Sequence, residues 1–190
     1  MKRCAWVEDT FEEYIAYHDQ EWGVPVHDDR KHFESLTLES AQSGLSWATI
    51  LKKRAGYREA FAGFDFEKVA SYDQQKYEEL LLNPGIIRNK LKISATINNA
   101  QKFIEVIEEF GSFDNYIWRF VDGEPIVNHW VDHRDAPSKS ALSDQVSKDL
   151  KKRGFKFVGS TTVYSQLEAS GLMNNHIIDC FRQQEIINGY

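Results

Sequence analysis

Cysteine and proline are scarce in this chain, with two and four respectively in 190 residues, and only two methionines are present. Two cysteines cannot build a disulfide framework, and so few breakers exclude a proline-rich linker or a collagen-like repeat. No apolar run approaches the roughly 20 residues that span a bilayer, and the segment from Met1 to Asp9 lacks the apolar stretch of a signal peptide. The expectation is a cytoplasmic protein with no membrane partner. Missing too are a glycine-rich phosphate loop closed by Lys-Ser/Thr, a Gly-x-Ser-x-Gly elbow and a His-Glu-x-x-His helix. Their absence removes the usual signatures of nucleotide hydrolases, serine esterases and zinc peptidases. There is no internal repeat and no low-complexity tract.

The length suits one domain, residues 1–190, with a substantial core. A net charge of −6 argues against a polyanionic partner, yet the charges are segregated. Ten acids and two bases lie between Glu8 and Glu39. Four bases and no acid lie between Leu45 and Arg58, and four more between Ile86 and Lys102. A third cluster holds Lys148, Lys151, Lys152, Arg153 and Lys156. Three basic patches could face one polyanion, although bases also gather at helix C-termini for purely structural reasons.

Helical spacing dominates and predicts an all-α domain. Thr10 and Glu13 form a capping-box pattern opening a helix to about Glu21. Further helices are expected from Asp28 or Asp29 to Ser43, Leu45 to Arg58, Gln74 to Leu82, Asn89 to Phe110 and Phe113 to Val121. Three more should cover Asp144 to Arg153, Thr161 to Ser170 and Asn175 to Gln183, with Gly154 and Gly171 at C-terminal caps. The turn-rich segment from Asp122 to Pro137 suggests an irregular excursion or a short hairpin around Ile126-Val127.

Cys4 and Cys180 stand near opposite ends of the chain, and His18 and His176 could be brought beside them. His176 and Cys180, four residues apart, would share one helix face, as two ligands of a tetrahedral metal would require. Buried apolar thiols, or a disulfide in an exported protein, explain the same two cysteines. His129 and His133 have the same spacing and form a rival pair. Spacing alone does not choose among these.

Two other constellations carry chemistry. Between Leu82 and Ser94 an apolar helix end runs through Asn83-Pro84-Gly85 into a basic helix start with Arg88, Lys90 and Lys92. Such a helix-hairpin-helix pattern presents backbone N–H groups and positive charge to a phosphate. The segment from Glu39 to Trp47, taken with Trp6, Tyr14 and Tyr17, places one carboxylate among aromatics beside a glycine break at Gly44. That set suits a flat cationic ring with an exocyclic amine, and a core aromatic cluster with a solvated acid is the plain alternative.

Taken in order, Arg3-Cys4-x-Trp6, Tyr14 to Pro25, Glu39 to Trp47, Ile50 to Arg54, Gly85-Ile-Ile-Arg88 and Leu150 to Gly159 resemble the DNA-3-methyladenine glycosylase I family of bacterial alkylation repair. The resemblance runs from about Arg3 to Cys180. Ala5 stands where the family often has glycine and Phe11 where proline is frequent, and neither belongs to the implied site. The resemblance implies a helix-hairpin-helix glycosylase fold, its hairpin around 78–100, and a structural zinc ion held by Cys4, His18, His176 and Cys180. That ion would join segments 4–18 and 176–180. It further implies a lesion pocket of Trp6, Tyr14, Tyr17, Glu39 and Trp47, with Tyr17 and Trp47 stacking and Glu39, the catalytic candidate, contacting the base edge. Gly44 and Leu45 would enter the duplex, and Gly85, Arg88 and Lys90 would hold its phosphates.

The expected activity is monofunctional release of 3-methyladenine from double-stranded DNA by a monomer, leaving an abasic site. N3-methylation makes the base cationic and its glycosidic bond weak, so binding the extruded cation does much of the work. Lys90 is the lysine that Ile86 to Leu91 offers, and it lies in the phosphate-binding helix start, not where a Schiff-base nucleophile would be needed. A zinc-stabilised damage-binding or adaptor protein without activity is the rival, and a metal hydrolase would need one of the four ligands to be missing.

Overall fold

Helix starts in this protein are mostly fixed by a polar side chain that accepts a backbone N–H the helix leaves unpaired. The computed structural model describes residues 1–189. Helix α1 (Glu12–Gln20) is an exception, because Thr10 stands one position too early: its hydroxyl donates to the Val7 carbonyl at 2.7 Å, and Phe11 is the N-cap. The expected capping box is therefore not formed, and Glu12 and Glu13 supply favourable charge to the first turn instead. Asp28 caps α2 (Asp29–Gln42), and Ser46 caps α3 (Trp47–Ala60). Asp65 caps α4 (Phe66–Ala70), whose five residues are too few for a helical period to show in the sequence. Asp73 caps α5 (Gln74–Leu82), and Asn89 caps the long α6 (Lys90–Phe110) through the amides of Leu91 and Lys92. Ser112 caps α7 (Phe113–Trp118), and Ser140 and Ser143 form a reciprocal box at α8 (Ala141–Lys152). Helices α9 (Ser160–Ala169) and α10 (Phe181–Ile187) start without a side-chain cap.

Helices α2 and α6 form the centre. α2 packs on α3, α6, α7 and α9, and α6 packs on α4, α5 and α7. Phe33 meets Phe103 edge-on at 5.4 Å, and Phe103 stacks on Phe113 at 4.1 Å, so three helices are joined by fully buried rings. Rings of this size contribute about 1.5–3 kcal/mol each by burial. A second, smaller buried cluster of Cys4, Ile177 and Cys180 lies apart from this core, with Trp6, Trp22, Trp130 and Phe181 against it.

The protein is mostly helical, with one departure. β1 (Ile126–Val127) pairs in parallel with β2 (Met173–Asn174), so Ile126-Val127 is not half of a local hairpin. The pairing continues beyond the strands: Ile126 N donates to Leu172 O, Asn128 N to Asn174 O and Ile178 N to Trp130 O. These bonds hold 172–178 extended and explain why no helix forms from Asn175, as the sequence pattern suggested. Helix α10 begins only after Cys180.

The turn from Asn83 to Asn89 is fixed against α3. A Cβ on Gly56 would come within 2.2 Å of the Gly85 carbonyl oxygen, so only glycine at position 56 allows this approach. Tyr57 Oη accepts from Ile87 N at 3.3 Å, and Lys53 Nζ donates to the Pro84 carbonyl at 2.8 Å.

Candidate functional site

Cys4, His18, His176 and Cys180 meet in the interior, all within 2% of complete burial. Their donor atoms lie within 4.8 Å of one another. Cys180 Sγ is 3.4 Å from His176 Nδ1 and 3.5 Å from His18 Nε2, and Cys4 Sγ is 3.6 Å from His176 Nδ1. Sulfur and nitrogen bound to one tetrahedral ion at ordinary bond lengths sit about 3.6 Å apart. The outer ring nitrogens fix the tautomers. His18 Nδ1 meets the Asp19 carboxylate at 2.7 Å, and His176 Nε2 donates to the Trp22 carbonyl at 2.9 Å. Protons at those positions leave the two inner nitrogens as lone pairs aimed at the sulfurs, the arrangement a metal ligand needs. Arg3 clamps Asp19 in turn, with contacts of 2.7 to 3.0 Å. The group could hold a metal.

His176 and Cys180 converge through a turn and not along a helix face, because Cys180 N bonds the Ile177 carbonyl and folds the chain back. Both cysteines are free, so no disulfide joins them. Among the described residues the quartet is the one such donor group. His133 lies elsewhere, on a short 3-10 turn from His133 to Asp135, and His129 on the extended stretch before it.

Behind the quartet a cavity of about 280 Å³ gathers Trp6, Tyr14, Tyr17, Glu39 and Trp47 into one wall. Its size suits a single small ring system. α1 supplies the two tyrosines, spaced i and i+3 on one face, while α2 supplies Glu39 and the first turn of α3 supplies Trp47. Tyr17 and Trp47 sit at 5.1 Å with tilted planes, and Trp6 packs on Tyr14 at 5.4 Å. The Trp47 indole N–H is buried with no acceptor among the described residues.

Glu39 is 5% exposed, and its carboxylate has no hydrogen-bond partner among the described residues. Burial, and then the charge of Glu168, push its carboxyl up to about 8. Burial, followed by the nearby carboxylate of Glu39, raises Tyr14 and lifts Tyr17 well above the usual phenol range. Both tyrosines are neutral hydrogen-bond donors at physiological pH.

The rest of the wall is Trp22, Gln42, His133, Ala136, Ser165, Glu168 and Asn175, and no lysine or arginine among the described residues lines it. Sequence reasoning did not find Glu168 or Asn175. One signal was available: Glu168 follows Tyr164 by one helical turn, on a face where Val163, Tyr164 and Leu167 are all buried. Asn175 Nδ2 donates to Glu168 Oε1 at 2.7 Å and to Tyr164 Oη at 2.8 Å. Its Oδ1 accepts from Asn128 Nδ2 at 2.6 Å and from Trp130 Nε1 at 3.1 Å, both on the chain beside β2. Burial pushes Glu168 up to about 7, with the Asn175 bond opposing it.

A larger cavity, about 510 Å³, lies beyond Tyr17 and Trp47, which line both. Its arginines are already matched: Arg54 bonds Glu21 at 2.7 and 2.8 Å and Glu34 at 2.8 Å, and Arg58 bonds Glu34 at 3.0 Å. The same holds for two further members of the basic clusters seen in the sequence. Arg153 pairs with Asp149 and Glu109, and Lys102 pairs with Glu105. Lys148, Lys151, Lys152 and Lys156 of the third cluster form no ion pair among the described residues.

Arg88 and Lys90 are exposed and make no side-chain bond among the described residues. In their turn Gly85 N bonds Asn83 Oδ1, Asn89 N bonds Ile87 O, and Asn89 Oδ1 takes the amides of Leu91 and Lys92. Most of the N–H groups expected to be free are thus used, and those of Arg88 and Lys90 are left. Gly44, at φ +77° with open space around it, and the partly exposed Leu45 protrude between α2 and α3. Lys92 Nζ reaches under that loop and donates to the carbonyls of Ala41 and Ser43 at 2.7 and 2.6 Å.

Residues 6–183 match the methyladenine glycosylase family. DNA-3-methyladenine glycosylase 1 of Escherichia coli (strain K12) is 46% identical over 181 residues, 95% of this chain and 96% of that protein. The Staphylococcus aureus structure described as the structural basis of 3-methyladenine recognition superposes with a TM-score of 0.92 at 40% identity, covering 96% of this chain and 97% of the other. A variant of 3-methyladenine DNA glycosylase I in complex with 3-methyladenine superposes with a TM-score of 0.92 at 39% identity, covering 96% and 98%. On the extent of that match, nearly end to end in sequence and in fold, the chain belongs to the methyladenine glycosylase family.

Proposed function

We propose that the protein is a monofunctional base-excision repair glycosylase, which extrudes 3-methyladenine from double-stranded DNA and releases it by hydrolysis. The observation that carries this reading is the cavity: aromatic rings, a buried carboxylate without a partner, and no lysine or arginine among the described residues. A cationic purine supplies what that wall lacks.

Extruding a base costs a few kcal/mol, and stacking on an aromatic side chain returns about 1–3 kcal/mol per base. Tyr17 and Trp47 together can offset extrusion, but they would do so equally for adenine. Discrimination must come from charge. Glu39 accepts the exocyclic amine and faces the positive ring, while Trp6 and Tyr14 close the other side. As the glycosidic bond breaks, its electron pair returns to the purine, which leaves as neutral 3-methyladenine. Water then bonds the sugar C1′ and loses a proton. Among the described residues no lysine lines the cavity, which accords with hydrolysis in place of a Schiff base.

Gly44 and Leu45 fill the gap left in the duplex. Gly85, Arg88 and Lys90, in a helix-hairpin-helix formed by α5 and α6, hold the phosphates. Zinc suits the Cys2His2 donors, and with all four positions taken it would supply a cross-link and no chemistry. Without a cation the two sulfurs cannot both be thiolates: the hydrogen bond to Cys180 and burial push Cys4 up, while the same bond and the two imidazoles pull Cys180 down. A dication between them would remove that conflict. The protein acts as a single-domain monomer in the cytoplasm.

Base release from methylated DNA, with chromatographic identification of the freed base, tests the reading. The expected products are free 3-methyladenine and an uncut strand with an abasic site. Strand cleavage or a borohydride-trapped adduct would contradict it, and tight binding without release would point to a damage-binding protein.

A further inference from the structure

Resting on the cavity as the lesion pocket, we propose that Glu168 is a second specificity residue, acting with Glu39 to make the pocket a two-carboxylate receptor for positively charged purines. Three observations converge. Glu168 lines the same cavity as Glu39, on α9, which packs against the α2 that carries Glu39. It is not a loose surface acid, because Asn175 holds Oε1 at 2.7 Å and is itself held by Asn128 and Trp130. And the wall contains no lysine or arginine among the described residues, so neither carboxylate has a permanent counter-charge there. Two acids placed together without a cation are costly unless a ligand brings one.

The groups around the pair bring no lysine or arginine into the wall among the described residues. α1 presents Tyr14 and Tyr17 as phenols, and α9 presents Tyr164, whose oxygen accepts from Asn175. His133 stands in the wall from the loop after β1. Arg54 and Glu21 act on Tyr17 from the far side and are bonded to each other. Glu39 and Glu168, raised to about 8 and about 7, therefore share protons in the empty pocket near neutrality. A cationic base entering between them favours ionisation and expels protons. A neutral purine of the same shape does not. Because the charge moves from base to sugar as the bond breaks, the second carboxylate aids binding more than bond cleavage.

The test is the pH profile of 3-methyladenine release by wild type, E168Q and E39Q. The side-chain amide in E168Q keeps an oxygen for Asn175, so the hydrogen bond survives and only the charge is lost. For wild type, kcat/KM should rise between about pH 7 and 8. In E168Q the rise should lie at lower pH, since Glu39 loses its like-charged neighbour, and level off below the wild-type plateau. The two profiles cross, with the loss at high pH carried by KM and not by kcat. A uniform drop at every pH would make Glu168 merely structural, and an unchanged profile would remove it from recognition; either overturns the proposal. If E168Q folds poorly, 13C titration of the wild-type carboxyls with and without methylated DNA decides: both glutamates should lose protons on binding, and a response from Glu39 alone refutes the pair. Full activity in E39Q would instead sink the lesion-pocket reading, whatever E168Q does.

Discussion

The Cys2His2 quartet and the Glu39 cavity share a helix and two tryptophans, yet they treat their polar atoms in opposite ways. On α1, His18 faces the quartet and Tyr14 and Tyr17 face the cavity. Trp6 touches both sides, 5.1 Å from the His18 ring and 5.4 Å from Tyr14, and Trp22 lies 4.5 Å from the His176 ring while lining the cavity. In the quartet each outer imidazole nitrogen is bonded, and Asp19 is held below the ordinary range, against burial, by Arg3 and His18. In the cavity Glu39 and the Trp47 N–H have no partner among the described residues, and Glu39 holds its proton far above its usual range. A structural site uses up its hydrogen bonds, whereas a binding site keeps some in reserve at a cost to stability.

Breaking the quartet should give the largest effect. Zinc contributes about 10–16 kcal/mol in small fingers, but this fold has a separate core around Phe33, Phe103 and Phe113, so a loss of several kcal/mol is expected for Cys180→Ala or for chelation. Thermal melts with and without chelator, alongside metal analysis, would measure it. Activity should vanish with unfolding and not before. A chelated protein that stays folded, keeps its cavity and yet fails to excise would break the division between the two regions.

The cavity should respond with the opposite sign. Glu39→Gln is expected to lower kcat/KM by about a hundredfold, as for other preorganised charged groups. It should also stabilise the protein in alkali. Glu39 titrates at about 8 when folded, against an ordinary 4.5, so the folded state holds the proton more tightly. Stability from this group is full below about pH 4.5, falls as pH rises, and is at its lowest above about pH 8. The E39Q side chain has no charge to bury, so at pH 9 the variant should be more stable by a few kcal/mol, since each pKa unit is worth about 1.4 kcal/mol. Urea melts at pH 5 and pH 9 would test this. Equal stability of the two proteins at pH 9 would mean that Glu39 carries no reserve of strain.

How far these regions could be read in the sequence follows from the same contrast. Caps such as Asp28, Asp73 and Asn89 act within three residues, so α2, α5 and α6 begin where local chemistry puts them. The helix expected at Asn175 failed because its competitor was remote: β1 and Trp130 capture the backbone of 172–178. Cys4, His18, His176 and Cys180 were legible as residue types, although a turn joins His176 to Cys180 where a helix face was expected. Tyr14, Tyr17, Glu39 and Trp47 belong to consecutive helices, and a local pattern could gather them. Glu168 and Asn175 come from the far end of the chain and reach the cavity only through the fold. The basic clusters were legible only in part, because charge along the sequence does not show that Arg54, Lys102 and Arg153 have acidic partners.

A smaller effect should appear where cavity and DNA face are coupled. Lys92 on α6 donates to two carbonyls beneath Gly44 and Leu45, and bonds from a charged group are worth about 1.5–3 kcal/mol. Burial lowers its pKa, yet its acceptors among the described residues are backbone oxygens, so its place in the fold is to hold the loop. Lys92→Met should cut excision from DNA about tenfold while leaving affinity for free 3-methyladenine near wild type. Equal losses in both measurements would mean that the tether shapes the cavity itself.

The smallest effect belongs to the residues most exposed. Arg88 and Lys90 are unpaired among the described residues, and their own amides are free, so side chain and backbone offer positive charge to the same phosphate. Each contact displaces about one counterion, so Arg88→Ala or Lys90→Ala should weaken DNA binding at low salt and reduce the slope of log K against log salt by about 1. Base identity should not matter to this loss, since phosphates carry no sequence. Unlike Glu39→Gln, these variants should keep the wild-type preference for methylated over unmethylated adenine, because on the proposed function the preference resides in the cavity and the turn only delivers the duplex to it. A change in that preference would join the two regions more closely than their separate polar networks suggest.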